Sequence, residues 1–123
     1  MRVLVIDDSR AMRFLLRRMM TELGFEVDEA AHGVQALEVL QGGERPDLMM
    51  VDWNMPEMDG YEFVKAVRAD QQYDDVPLMM VTTETEMAQV MRALDAGADE
   101  YVMKPFTREV IEEKVELLGL TGA

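Results

Sequence analysis

Three short apolar runs without polar interruption, Val3-Leu4-Val5-Ile6, Leu48-Met49-Met50-Val51 and Leu78-Met79-Met80-Val81, are separated by longer segments of helical period. This alternation constrains the fold more than any other feature of the chain. A continuous apolar run suits a strand covered on both faces, the condition of a parallel sheet with helices on either side. Two weaker runs, Phe25 to Ala30 and Tyr101 to Met103, bring the count to five. Between the first and second strands Met12, Leu15, Leu16, Met19 and Leu23 recur at three- and four-residue spacing, one face of a helix that starts near Ser9 and stops at Gly24. Val34, Leu37 and Leu40 repeat the pattern before Gly42-Gly43, and Tyr61, Val64 and Val67 repeat it after Gly60. Val90 and Leu94 do so before Gly97, and Ile111, Val115 and Leu118 close the chain, with Thr107 as the N-cap of that last helix and Phe106 before it.

Five such units make a (βα)5 chain. They are too few for an eight-unit closed barrel, and an open doubly wound parallel sheet is the common alternative. The 123 residues fit one domain, 1–123, with one core and no room for a separate output module. No internal repeat or linker is visible, and the acidic stretch from Asp70 to Asp75 reads as a loop. Apolar residues make up 49% and charged residues 30%, so the formal charge of −13 rides on a folded surface rather than a disordered chain. Such a surface repels phosphate backbones and anionic lipid, and no basic run extends beyond Arg17-Arg18, which argues against nucleic acid and membrane as partners. Without cysteine there is neither a disulfide framework nor thiol chemistry. No apolar stretch reaches the length of a membrane span, so a soluble cytoplasmic protein is expected.

In open α/β sheets, ligands sit beyond the carboxyl ends of the strands. There this chain carries Asp7 and Asp8 after the first strand, Asp52 after the third, Thr82 and Thr83 at the end of the fourth, and Lys104-Pro105 after the fifth. A cluster of carboxylates wants a proton or a cation, and oxygen ligands without His or Cys suit Mg2+. A carboxylate also serves as a nucleophile, an ammonium balances charge on a transferred phosphoryl group, and a threonine hydroxyl hydrogen-bonds one of its oxygens. The competing reading of Asp7-Asp8 is plain helix capping. Convergence of acids from two strands, a hydroxyl and an ammonium on one rim favours chemistry.

The chain resembles the receiver domain of two-component response regulators, and most closely its single-domain chemotaxis members. The segments that carry the resemblance are Val5-Ile6-Asp7-Asp8, Asp52-Trp53-Asn54-Met55-Pro56-Glu57-Met58-Asp59-Gly60, Met80-Val81-Thr82-Thr83-Glu84, Ala96-Gly97-Ala98 and Tyr101-Val102-Met103-Lys104-Pro105-Phe106-Thr107. The resemblance runs from Val3 to about Leu118. It implies a flavodoxin-like sheet of strand order 2-1-3-4-5, with Asp52 as phosphoacceptor for a phosphohistidine on a histidine kinase of the CheA-like kind or for a small phosphodonor. It further implies Mg2+ held by Asp7, Asp8, Asp52 and the backbone carbonyl of Asn54, with Lys104 on the acceptor and a cis Lys104-Pro105 bond. Thr82 and Tyr101 become a switch pair that remodels the face of the fourth helix, fifth strand and fifth helix for a target such as the flagellar motor switch. Asn54 and Glu84 occupy positions that tune dephosphorylation, with or without a phosphatase. A monomer acting as a switch, not an enzyme with an external substrate, follows.

Departures from the best-known enterobacterial chemotaxis pattern bear on partners. Thr85-Glu86-Met87-Ala88 stand where that pattern has lysines, which makes the output face more acidic, and Glu57 replaces an asparagine close to the site. A phosphorelay intermediate, a phosphate sink or an adaptor outside chemotaxis is therefore the alternative role. A haloacid-dehalogenase-type phosphohydrolase needs a second Asp two residues after its nucleophile, where this chain has Asn54, and neither a P-loop nor a G-x-G-x-x-G pattern is present. His32 reads as a solvated turn residue, most of the 13 methionines as core fillers with Met55, Met58 and Met87 the exposed exceptions, and Trp53 as a partly exposed reporter or a packed side chain.

Overall fold

The structure, a computed structural model, describes residues 1–43, 45–83 and 87–120, Met87 by its backbone. Its elements are β1 (Arg2–Ile6), α1 (Arg10–Glu22), β2 (Glu26–Ala30), α2 (Gly33–Gly42), β3 (Leu48–Val51), α3 (Gly60–Arg68), a 3-10 turn at Gln71–Tyr73, β4 (Leu78–Thr82), α4 (Met87–Ala96), β5 (Glu100–Met103) and α5 (Arg108–Leu117). The strands are all parallel in the order β2-β1-β3-β4-β5, the doubly wound flavodoxin-like sheet. β2 and β5 each begin on a glutamate, one residue away from where apolarity alone places them.

The register explains why the central runs are apolar throughout. Leu4 is level with Met49, and Met49 with Leu78, so these side chains share one face, packed with Phe63, Val64 and Val67 of α3 and Ala36 and Leu40 of α2. Val3, Val5, Leu48, Met50, Met79 and Val81 point the other way, onto Leu16 and Met20 of α1 and Ile111 and Val115 of α5. Each fully buried side chain of this size contributes on the order of 2 kcal/mol, so two cores sandwich the sheet and hold its carboxyl rim in place.

Local signals set the helix ends. Ser9 accepts the Met12 N–H and starts α1, which stops at Gly24, where φ is +96°. Asp59 and Glu62 form a reciprocal capping box at α3, and Thr107 accepts the Val110 N–H at α5. His32 is more than a turn residue: its Nδ1 accepts the Gln35 N–H and caps α2.

Several expectations are corrected. Leu15 and Val34 lie at the margin of their helical stripes and are 39% exposed. The Asp70 to Asp75 stretch contains the 3-10 turn, because Tyr73 buries its ring there and donates its hydroxyl to the Leu40 carbonyl at 3.2 Å. Met55 and Met58 are half-buried against the core, whereas Met91 of α4 is exposed; the side chain of Met87 lies outside the described residues. At the end of the sheet opposite the rim, Arg68 donates to the carbonyls of Tyr73, Val76 and Gly97 and pairs with Asp99, whose carboxylate also accepts the Leu78 N–H. One guanidinium thereby ties together the segments before β4 and after α4.

Candidate functional site

Register brings the candidate residues to one rim. Ile6 is level with Val51, so Asp7 and Asp52 leave the sheet side by side. The Asp52 N–H still donates to the Ile6 carbonyl at 2.9 Å, and the Asp7 N–H to the Ala30 carbonyl at 3.1 Å. Thr82 is level with Met103, and the next residue, Lys104, donates its N–H to the Thr82 carbonyl at 2.8 Å. The Lys104-Pro105 peptide is cis. Behind Asp52, the backbone of α3 comes so close that a Cβ on Gly60 would stand 2.5 Å from the Asp52 carbonyl oxygen, and the Gly60 N–H donates to the Trp53 carbonyl. Only glycine fits there.

The Lys104 ammonium lies 2.9 Å from Asp7 Oδ2 and 3.4 Å from Asp52 Oδ1. Both carboxylates are buried, while Asp8 is exposed. Asp7, Asp8 and Asp52 each place a carboxylate oxygen within 4.8 Å of the others. At that separation, like charges repel by about 3 kcal/mol per pair at an effective dielectric near 20, and one ammonium cannot neutralise three carboxylates. Burial, followed by the charge of Asp7, pushes the Asp52 carboxyl up to about 6 against the opposing pull of Lys104. Three hard oxygen donors with excess negative charge, including one solvent-facing carboxylate, fit Mg2+, which keeps several waters and takes few protein ligands. The arrangement can also present a buried carboxylate as a nucleophile beside a fixed ammonium. The side chain that caps α1 is Ser9 rather than either acid, and Asp7 Oδ1 accepts the Ser9 N–H at 2.8 Å.

Thr82 and Tyr101 line one small cavity with Trp53, Met80, Gln89, Val90 and Ala93. Its volume is about 10 Å3, room for about one water. Thr82 is buried, and Tyr101 is half-buried with Lys114 Nζ 5.5 Å from its ring centroid. Trp53 is packed, only 7% exposed, with its ring 6.0 Å from that of Tyr61.

A family model described as the response regulator receiver domain matches residues 3–116. The chain belongs to the response regulator receiver family. Among its relatives, a chemotaxis protein CheY homolog of Campylobacter jejuni is 48% identical over 124 residues, covering 100% of this chain and 95% of the relative. Chemotaxis protein CheY1 of Helicobacter pylori is 45% identical over 119 residues, covering 96% of each. Among solved structures, chemotaxis response regulator CheY4 of Vibrio cholerae superposes with a TM-score of 0.89 at 38% identity, covering 95% of this chain and 97% of that one.

Within this receiver, Asp7, Asp8, Asp52 and Lys104 form one polar cluster, and Thr82 adjoins it through the Lys104 backbone bond. Tyr101, on β5, lines the same cavity as Thr82. Asn54 is exposed in the segment after Asp52, and Glu84 lies outside the described residues. Sequence reasoning missed Arg13. Its Nη1 donates to the Asp7 carbonyl at 2.6 Å, and its Nε lies 3.3 Å from Glu29 Oε1. The available signal was an arginine one helical turn beyond Ser9. Four arginines, Arg10, Arg13, Arg17 and Arg18, also gather on α1 at spacings that form no continuous basic run; Arg13 and Arg17 pair with Glu29 near the end of β2, while Arg10 and Arg18 are exposed.

Proposed function

We propose that this receiver is a Mg2+-dependent phosphoacceptor switch whose acceptor is Asp52. The observation that carries the reading is the buried Asp52 carboxyl, held 3.4 Å from the Lys104 ammonium within a cluster of three carboxylates. Asp7, Asp8, Asp52 and the Asn54 backbone carbonyl would hold the ion. Bound there, the ion would offset the negative charge of the acids and of an incoming phosphoryl group. An Asp52 carboxylate oxygen forms a bond to phosphorus, the P–N bond of a phosphohistidine breaks, and the imidazole leaves with the electron pair and takes up a proton. The product is an acyl phosphate. Lys104, already between Asp7 and Asp52, moves its charge to the new phosphoryl oxygens. Water later attacks phosphorus, returning carboxylate and inorganic phosphate, at a rate that Asn54 and Glu84 tune.

The signal leaves through Thr82 and Tyr101. A phosphoryl oxygen on Asp52 attracts the Thr82 hydroxyl, and the cavity bordered by both side chains couples that shift to α4, β5 and α5. The partners follow as a histidine kinase, a downstream protein and a phosphatase, with the monomer as the acting unit in the cytoplasm. Similarity to chemotaxis relatives favours a motor-switch target. The acidic Thr85-Glu86 stretch instead favours a partner that does not depend on lysines there, which keeps a non-chemotaxis relay or phosphate sink as the second reading. Among the described residues, no helix is long and apolar enough to cross a membrane.

The test is incubation with acetyl phosphate, with and without Mg2+, followed by intact mass. A gain of about 80 Da that requires both Mg2+ and Asp52 is expected. No gain, or the same gain in Asp52→Asn, refutes the proposal.

A further inference from the structure

β1 pairs with its neighbours as far as Ile6, and beyond that point the ladder no longer supplies a partner for each carbonyl. The Asp7 carbonyl finds its donor in a side chain, Arg13 Nη1 at 2.6 Å. That guanidinium is itself braced: its Nε faces Glu29 Oε1 at 3.3 Å, and the other oxygen of Glu29 is occupied by Arg17 at 2.6 Å. The Arg13 side chain is largely buried, 17% exposed. β2, α1 and the turn after β1 are thus joined through one planar group.

The peptide so held is the one linking Asp7 to Asp8. The Asp7 carboxylate has fixtures of its own, the Ser9 N–H on Oδ1 and Lys104 on Oδ2. Among the described residues no such bond holds the Asp8 carboxylate, which is exposed and faces two like charges. Repulsion drives it outward, and rotation of the Asp7–Asp8 peptide would let it go. We infer that Arg13, braced by Glu29, is a positioning residue for the cation site: by fixing the Asp7 carbonyl it keeps the Asp8 carboxylate turned toward Asp52.

This inference rests on the proposed Mg2+ site, and the sign of the effect separates it from a simple charge role. Removing a cation beside three carboxylates tightens Mg2+ binding by Coulomb attraction alone. Loss of positioning weakens it, as loss of groups that orient metal ligands does, by about 10-fold or more. The experiment titrates Mg2+ into the parent, Arg13→Gln, Arg13→Lys and Arg17→Gln, following Trp53 fluorescence and the Mg2+-induced rise in Tm. Arg17→Gln makes the same change in charge on the same helix and leaves the Asp7 carbonyl bond intact, so its affinity should stay within about 2-fold of the parent. Arg13→Gln should bind about 10-fold more weakly. Arg13→Lys keeps the charge but loses the fork that reaches both the carbonyl and Glu29, so it too should weaken, by about 3-fold or more. If Arg13→Gln does not fold, Arg13→Lys decides. Parental or tighter affinity in the Arg13 variant overturns the assignment, as does equal weakening in Arg17→Gln. A parent indifferent to Mg2+ overturns the functional reading beneath it.

Discussion

Replacing Asp52 with asparagine should make the protein more stable while removing its proposed function, and the size of the gain follows from the surroundings of Asp52. The carboxyl is buried among acids, and its pKa rises from 3.8 to about 6 on folding; at 1.36 kcal/mol per tenfold change in proton affinity this amounts to about 3 kcal/mol. The sign is set by which state holds the proton. Below pH 3.8 the group is protonated in both states and contributes nothing. Between 3.8 and about 6 the folded state binds the proton more tightly, so stability falls as pH rises through that window. Above it, the full cost of an ionised, buried Asp52 remains. The neutral amide introduced by Asp52→Asn carries no such cost, so the variant should gain about 3 kcal/mol at pH 7.5 and only about 1 kcal/mol at pH 4.5. Urea unfolding followed by Trp53 fluorescence should then show a midpoint about 1 to 2 M higher than the parent's at pH 7.5, with the gap narrowing in acid. Mg2+ at ten times its Kd should recover about 1.4 kcal/mol for the parent and less for the variant. An unchanged midpoint at pH 7.5, or a gain of equal size at both pH values, refutes the account of Asp52 as a strained, ionised acceptor.

Two further substitutions probe the frame around Asp52. Gly60→Ala places a methyl group 2.5 Å from the Asp52 carbonyl oxygen, and backbone must shift to admit it. It should cost about 2 kcal/mol or more in urea unfolding and reduce phosphorylation by acetyl phosphate; a variant as stable as the parent contradicts the close approach. Glu57 holds φ at +68°, a conformation that asparagine tolerates better than glutamate. Glu57→Asn should therefore raise stability by up to about 1 kcal/mol, seen as a higher Tm, and a lower Tm counts against backbone strain at this position.

The sheet was legible because β1, β3 and β4 are buried on both faces, a condition that leaves an unbroken apolar run in the sequence. The rim was legible for a related reason. Asp7, Asp52 and Lys104 each follow directly on a strand, so parallel register brings them level without any knowledge of side-chain packing. What escaped depends on rotation and tertiary contact. Whether Arg13 faces the Asp7 carbonyl or solvent is decided by how α1 sits on the sheet, and whether Tyr73 is buried is decided by the reach of its hydroxyl to Leu40 across 33 residues of chain. Trp53 could be placed beside Asp52 from sequence, but its burial comes from contact with α3 and the core. Val34 satisfied the helical period and is still exposed, because the stripe facing the sheet in α2 is carried by Gly33, Ala36 and Leu40.

The Arg68 staple bears on how a signal could travel through α4. Its bond to the Gly97 carbonyl lies just past the C-terminal end of that helix, and the same guanidinium is anchored to Tyr73, Val76 and Asp99. Any displacement of α4 that leaves those bonds intact is a swing about that end, like a lever on a fixed pivot. Ten residues of helix make an arm of about 15 Å, so a tilt of about 10° carries the Met87 end through about 3 Å while the Ala96 end stays nearly still. The far end of the lever is the one that follows the strand bearing Thr82, so a given tilt displaces the backbone most beside the Asp52 rim and least beside Arg68.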